Sequence, residues 1–236
     1  MAMDIETLME KSGAYMVSER RRRERNIPEL RLTKPSIAIS HQVGAGAQEI
    51  AKKLAGEFQK LQGDGLWEVF DQELIAKALQ RERWPKKLAD SITEEKRLFV
   101  DEIMDDLFGL RPPSWVLMPR VIETTMNLAM TGHAILVGHG ATIVTAKLPN
   151  VFHVRITGSL LGRIARIQRT RGLTPGEAAK FVKTEDHKRE KYLKVHFHAR
   201  MSNELLHDLA INTDRITEAD AVATITEAAR RFFARL

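Results

Sequence analysis

The stretch SIAISHQVGAGAQEIA, residues 36–51, decides the fold expected for this chain. Its first five residues, 36–40, alternate small and apolar side chains, which predicts a buried β-strand. Gly44 and Gly46 follow, and an amphipathic helix is predicted near 46–62. A strand, a glycine-bearing turn and a helix in this order are typical of open α/β sheets, whose ligands bind beyond the carboxyl ends of the strands.

Further short apolar runs alternate with longer helical segments along the chain. These strands are predicted at 67–70, 134–138, 151–156 and 208–212. The helices are predicted after Asp71, at 92–108, at 119–131, at 159–171, as two separate segments at 175–183 and 185–198, and at 218–235. Strands separated by helices usually pair in parallel, so the pattern predicts one parallel five-stranded sheet covered on both faces. We divide the chain into a basic N-terminal arm, 1–34, and a single α/β domain, 35–236.

The composition excludes several classes of protein. Hydrophobic residues make up 43% of the 236 residues and charged residues 29%, which is typical of a globular chain. There is no cysteine, so disulfides and thiolate metal sites are absent, and we expect no structural metal. No apolar run reaches the roughly 18 residues of a membrane span. The acidic N-terminal sequence differs from a signal peptide, so we expect a cytoplasmic protein with no membrane partner.

Positive charge is concentrated in two segments. Residues 163–200 hold 11 Lys/Arg against 4 Asp/Glu, and residues 18–34 hold 7 against 3. Such segments favour anionic partners, phosphates first, although solvated helix faces would have the same composition. A nucleic-acid binder is a further interpretation, but aromatic residues are not interleaved with the charges, so we do not expect nucleic acid as a partner.

The glycine turn, residues 42–48, matches neither common nucleotide-binding motif completely. A dinucleotide fingerprint needs a small residue where Glu49 stands. A P-loop ends in Gly-Lys followed by Ser or Thr, and this turn ends in Gly46-Ala47-Gln48. By itself the turn is equally compatible with a strand–turn–helix that binds nothing.

The order of motifs along the chain is more specific. After the turn come FDQELI (70–75), ILVGHGA (135–141), RIAR (163–166), DHKREKY (186–192) and DLAINT (208–213). Over about residues 35–233 this series resembles the cytidylate kinase-like family, a branch of the P-loop nucleoside monophosphate kinases. The resemblance implies a three-layer P-loop kinase-like fold, with the strand order 2-3-1-4-5 and a helical lid at about 159–200. It also implies ATP and Mg²⁺.

Site residues follow from the same resemblance. The implied phosphate-binding residues are Ser40, His41, Gly44, Ala45, Gly46, Ala47, Gln48 and His139. The implied catalytic residues are Arg163, Arg166 and Arg189, and Arg169 continues the first two at a spacing of three. The implied substrate-binding residues are Asp71, Asp186, Arg189 and Tyr192. Asn212-Thr213 resembles the segment beside the adenine in related kinases.

Several cations of the family pattern are replaced in this chain. The family typically has Ser-Arg-x-x-Gly-Ser-Gly-Gly-Arg-Glu-Ile-Ala in the turn, and here His41 and Gln48 replace the two arginines. His139 replaces an arginine after the third strand, and Ala47 stands where kinases proper carry a lysine. If protonated histidines supply the missing charge, activity should rise as the pH falls through about 6.5. Restoring arginine at 41, 48 and 139 should then raise turnover.

Two functions follow from this sequence. The first is ATP-dependent phosphorylation of a nucleoside monophosphate of the CMP or dCMP type, at a rate that the replaced cations would lower. The second is a nucleotide- or phosphate-binding protein on the same fold with reduced catalysis. Either would take a nucleotide or another phosphorylated small molecule as its partner, and the sequence leaves the oligomeric state open.

Overall fold

A computed structural model of the chain describes residues 34–62, 66–71, 117–138, 140–197, 199–200 and 202–236. Five parallel strands form its centre: β1 (Ser36–His41), β2 (Glu68–Asp71), β3 (Ala134–Val137), β4 (Val151–Thr157) and β5 (Leu209–Asn212). Their order across the sheet is β2-β3-β1-β4-β5, which confirms the expected topology. Residues 1–33 of the arm, the helix predicted after Asp71 and the helix predicted at 92–108 lie outside the described residues.

Six α-helices are described around this sheet. They are α1 (Ala47–Gln62), α2 (Leu117–Thr131), α3 (Ala141–Val144), α4 (Leu160–Arg171), α5 (Pro175–Phe197) and α6 (Glu218–Phe233). A 3₁₀ helix, Glu204–Leu206, precedes β5. None of the helices in the described part of the chain is long and apolar enough to cross a membrane.

Alternate side chains of the strands build two separate cores. Ile37, Ile39 and Ile156 pack with α1 and α6 on one face of the sheet. Ala38 and Leu136 pack with α2, α3 and the end of α5 on the other face. Burial on both faces explains why β1 is a continuous buried run, as expected of a central parallel strand. The structure therefore has the three layers that the sequence predicts.

The prediction of two separate helices at 175–183 and 185–198 was wrong. One helix, α5, runs from Pro175 to Phe197. Thr184, where the break was expected, is neither Gly nor Pro, so nothing in its backbone chemistry ends a helix. A capping box is present at its start, because Thr174 Oγ1 accepts a hydrogen bond from Glu177 N–H and the Glu177 carboxylate accepts one from Thr174 N–H.

The loop between α4 and α5 makes them a helical hairpin, which we call the basic hairpin (residues 160–197). Ser159 caps the start of α4 by accepting a hydrogen bond from Gly162 N–H at 3.1 Å. Gly172 ends α4 in the left-handed conformation, with φ of 65°. These caps fix where the hairpin leaves β4, at the carboxyl edge of the sheet.

Candidate phosphate-binding site

The glycine turn lies at the carboxyl edge of the sheet, between β1 and α1. Gly44 and Gly46 have φ of 78° and 87°, a conformation that side chains with a Cβ rarely adopt. The first helical hydrogen bond runs from Ile50 N–H to Gly46 carbonyl at 3.1 Å. Within the described residues, the N–H groups of Gly44, Gly46, Ala47 and Gln48 donate to no protein acceptor. The turn therefore presents open donors at the positive end of a helix, which suits an anion.

The basic hairpin packs directly against this turn. A Cβ at Gly44 would lie 2.6 Å from the backbone oxygen of Arg163, so the hairpin backbone itself excludes a larger residue. A Cβ at Gly46 would lie 3.2 Å from Cζ of Arg166, so a guanidinium lies over the second glycine. Both glycines are required by their φ angle and by what lies beside them.

Arg163 and Asp186 fasten the hairpin to the turn. Arg163 is only 6% exposed, and its guanidinium donates to the carbonyls of Gly158 and Val43 at 3.0 and 3.1 Å. The same guanidinium pairs with Asp186 at 2.5 Å. The second oxygen of Asp186 accepts a hydrogen bond from Val43 N–H at 3.0 Å. These groups form a clasp, Val43–Arg163–Asp186, which holds both peptide groups of one turn residue.

Arg166 is a hairpin cation that lies beside the open donors, next to Gly46. Its Nη1 donates to Gly44 carbonyl at 3.2 Å and to Thr213 Oγ1 at 3.3 Å. Thr213 donates in turn to Thr157 carbonyl at 3.0 Å, which ties the segment after β5 to the end of β4. Arg169, expected on the same helical face, is exposed instead. One turn further along α4, the helix has already passed the glycine turn.

The residues that replace the family's cations lie in different surroundings. Ala47, the first residue of α1, is 2% exposed and belongs to the core. His41 is also buried, with 7% of its surface exposed. The Gln48 side-chain amide donates a hydrogen bond to the Asp71 carboxylate at the end of β2. Two residues predicted for different subsites are therefore in contact. His139 lies outside the described residues.

Arg189 and Tyr192 lie on the part of α5 that follows the clasp. Arg189 is half-buried, and its positive charge lowers the pKa of the nearby Arg155. Tyr192 packs edge-on against Phe197, with ring centroids 5.9 Å apart. Burial raises the pKa of Tyr192, so its hydroxyl stays protonated at neutral pH.

Sequence reasoning missed Arg155, which lies on β4 directly opposite Ser40 of β1. Its Nη1 donates to Ser40 Oγ at 2.7 Å. Burial lowers the pKa of Arg155 to about 10, with Asp186 raising it and Arg163 and Arg189 lowering it. A charged side chain inside an otherwise apolar strand was the available signal, since such residues are rarely buried without a reason.

Carboxylates and histidines do not gather into a metal-binding cluster in the described part of the chain. No group of three or more such side chains lies close enough there to hold an ion.

A five-stranded parallel sheet of this order, with a glycine turn after its first strand, defines the P-loop kinase-like class of α/β proteins. The sequence profile of the cytidylate kinase-like family matches residues 36–215. The chain belongs to the cytidylate kinase-like family.

The fold recurs in a solved structure. An uncharacterized protein from Eubacterium ventriosum aligns with a TM-score of 0.52 at 16% identity, covering 86% of this chain and all of the other. TT1252 from Thermus thermophilus aligns with a TM-score of 0.45 at 13% identity, and the alignment covers 84% of this chain and 97% of the other. A gluconokinase from Sinorhizobium meliloti aligns with a TM-score of 0.40 at 11% identity, and the alignment covers 86% of this chain and 93% of the other. No curated protein matches the sequence significantly.

Proposed function

We propose that this protein binds the phosphates of a nucleotide at the glycine turn and transfers the γ-phosphoryl group of ATP to a nucleoside monophosphate of the CMP or dCMP type. One observation carries the proposal. The open N–H groups of Gly44, Gly46, Ala47 and Gln48 lie beside the guanidinium of Arg166, so backbone and side-chain donors converge on one place. Converging donors of this kind neutralise the charge of phosphate oxygens during transfer.

The chemical step needs no covalent enzyme intermediate. An oxygen of the acceptor monophosphate attacks the γ-phosphorus in line, the bond to the β–γ bridging oxygen breaks, and ADP leaves with its Mg²⁺. In this proposal Arg166 and Arg189 contact phosphate oxygens. Arg163 acts through the clasp, because its Nε and Nη1 already bond protein acceptors. Asp71 and Asp186 are assigned to the acceptor in this proposal.

A second candidate is a nucleotide-binding protein with reduced catalysis, and a specific observation favours it. Ala47 supplies no charge where kinases carry a lysine, and the Gln48 amide is engaged by Asp71. Each missing contact to the transferring group could slow the reaction by about a hundredfold or more. Binding would survive, because the backbone donors of the turn do not depend on those side chains.

A product assay separates the two candidates. Each ribo- and deoxyribonucleoside monophosphate is incubated with Mg²⁺–ATP, and diphosphate and ADP are both quantified by ion-pair chromatography. A kinase forms them in equal amounts, and Arg166→Gln lowers the rate at least tenfold whereas Arg235→Gln, on the exposed C-terminal end, leaves it unchanged. A binding protein forms neither, yet still shows a nucleotide-dependent rise in Tm. No product and no rise in Tm would contradict both.

A further inference from the structure

We propose that Arg155 is a phosphate-binding residue, a cation supplied by the central sheet in place of those that the glycine turn lacks. The inference rests on the proposed function and deepens it, because it names a ligand-contacting residue. The geometry that carries it is the position of the guanidinium on β4, beside Ser40 and behind the glycine turn.

Arg155 is a charged group without a charged hydrogen-bond partner in the described part of the chain. Its hydrogen bond there goes to the neutral hydroxyl of Ser40 at 2.7 Å. A guanidinium has five N–H donors, so most of the donors of Arg155 are unused by the described residues. None of its nitrogens is both sealed from solvent and unbonded, so the remaining donors keep some contact with solvent.

The nearby carboxylate is already engaged by other groups. One oxygen of Asp186 pairs with Arg163 at 2.5 Å, and the other accepts from Val43 N–H at 3.0 Å. Asp186 therefore acts on Arg155 only through space, while the charges of Arg163 and Arg189 act against it. A half-buried arginine among other arginines stabilises an incoming dianion more than a solvated one does, because solvent screens it less.

The position also fits the chemistry that the turn lacks. Ser40 is the penultimate residue of β1, so its partner Arg155 lies near the carboxyl end of the sheet, where the turn begins. A guanidinium forms two parallel hydrogen bonds to phosphate oxygens, which a point charge such as lysine does not. Arg155 can thus supply from the sheet the positive charge that the uncharged side chains of Ala47 and Gln48 do not supply at the turn.

Binding measurements with three variants test the proposal. Arg155→Gln, Arg155→Lys and Arg235→Gln are titrated by calorimetry with inorganic phosphate, with CMP and with Mg²⁺–ATP, each alone. Arg235 is the matched control, since its loss changes the net charge equally on an exposed residue. We expect Arg155→Gln to weaken binding of inorganic phosphate and of at least one nucleotide by about tenfold to a hundredfold. Arg155→Lys should retain part of the affinity, and Arg235→Gln all of it.

The two nucleotides also distinguish the phosphate that Arg155 binds. A loss confined to CMP assigns it to the acceptor, and a loss confined to ATP assigns it to the donor. Without ligand, Arg155→Gln should have a Tm equal to or above that of the wild type, because one of several clustered cations is removed. If Arg155→Gln does not fold, the affinities of Arg155→Lys decide the question. Wild-type affinity for all three ligands, in whichever of these two variants is measured, would overturn the proposal.

This outcome is separable from that of the proposed function. Arg155-dependent anion binding with no diphosphate formed supports the inference and contradicts phosphoryl transfer. Diphosphate formation at a wild-type rate by Arg155→Gln, with unchanged affinities, contradicts the inference and supports the transfer.

Discussion

Asp186 accepts a hydrogen bond from Val43 N–H at 3.0 Å, although 143 positions separate the two residues in the chain. This bond and the ion pair of Asp186 with Arg163 join the basic hairpin to the glycine turn. The turn therefore keeps its shape through a helix that the sequence places far away. A hairpin so attached is coupled to whatever the turn binds.

Breaking the clasp should destabilise the fold. Asp186→Asn removes the charge that offsets the buried Arg163 guanidinium, and we expect a loss of about 2 kcal/mol in the free energy of unfolding, discounted for the partial exposure of Asp186. Urea denaturation measures it. Glu185→Gln, which breaks the neighbouring exposed pair with Lys188, should cost less than about 1 kcal/mol. Equal losses for the two variants would show that the clasp contributes no more than a surface pair.

The glycines of the turn should differ sharply from a helical glycine. Gly44→Ala places a methyl group 2.6 Å from a backbone oxygen at a positive φ, so we expect a loss of about 2 kcal/mol or more. Gly46→Ala meets the flexible end of Arg166 and should cost about 1 kcal/mol in stability, but more in phosphate affinity. Gly56→Ala has open space on α1 and should stabilise by up to about 1 kcal/mol. Thermal unfolding with and without inorganic phosphate compares all three.

Restoring an arginine at position 48 should have a smaller effect than the family pattern suggests. The Gln48 side chain is bonded to Asp71, so the new guanidinium in Gln48→Arg would pair with that carboxylate. We expect less than a tenfold gain in phosphate affinity for this variant, and a larger gain when Asp71→Asn is also present. A double-mutant cycle by calorimetry measures the coupling. A full gain in the single variant would mean that Asp71 does not hold the side chain at 48.

Stability should fall as the solution is acidified below pH 6.5. Burial, reinforced by the charge of Arg155, lowers the pKa of His207 from 6.5 to about 4, so the unfolded chain binds a proton that the folded chain refuses in this window. We expect His207→Asn to reduce the fall in Tm between pH 7 and pH 4.5 by about 2–4 °C, which corresponds to about 1 kcal/mol once screening by solvent is allowed for. The exposed His187→Asn serves as the control, and equal pH profiles for both variants would contradict the assignment.

Acidification further should remove a second contribution. The burial of Asp208 works to raise its pKa, but hydrogen bonds from the His153 ring and N–H outweigh burial and lower it. A carboxylate with a lowered pKa stabilises the fold above its ordinary pKa of 3.8, and that stability is lost as the pH falls through the folded value. The effects of His207 and Asp208 therefore belong to successive pH windows.

Local patterns in the sequence predicted the elements of the fold well. The strands alternate with helices as expected, and Thr217 caps α6 by accepting from Asp220 N–H at 3.2 Å. Trp67, at the start of the strand predicted at 67–70, is buried and stacks on Phe58 with ring centroids 4.5 Å apart. These features depend on neighbours within a few positions, which the sequence displays directly.

Side-chain partners from distant segments were not predictable in the same way. Arg163 and Asp186 were expected to contact ligands, yet the structure shows them bonded to each other and to Val43. Arg155 lies opposite Ser40 only because β1 and β4 are neighbours in that register. A pattern of residue types does not specify which residues of two strands lie opposite each other, so it gave no indication of the contact between Arg155 and Ser40.

Hydrogen exchange on adding nucleotide tests the central claim, that the glycine turn and the basic hairpin together bind its phosphates. Peptides covering 43–48 and 159–200 are compared with and without CMP plus Mg²⁺–ATP, and peptides from α6 serve as the internal control. We predict slower exchange in the turn and the hairpin, because the phosphates occupy the open donors and offset the repulsion among the hairpin cations, with no change in α6. Equal exchange in the turn and the hairpin with and without saturating nucleotide would contradict the account.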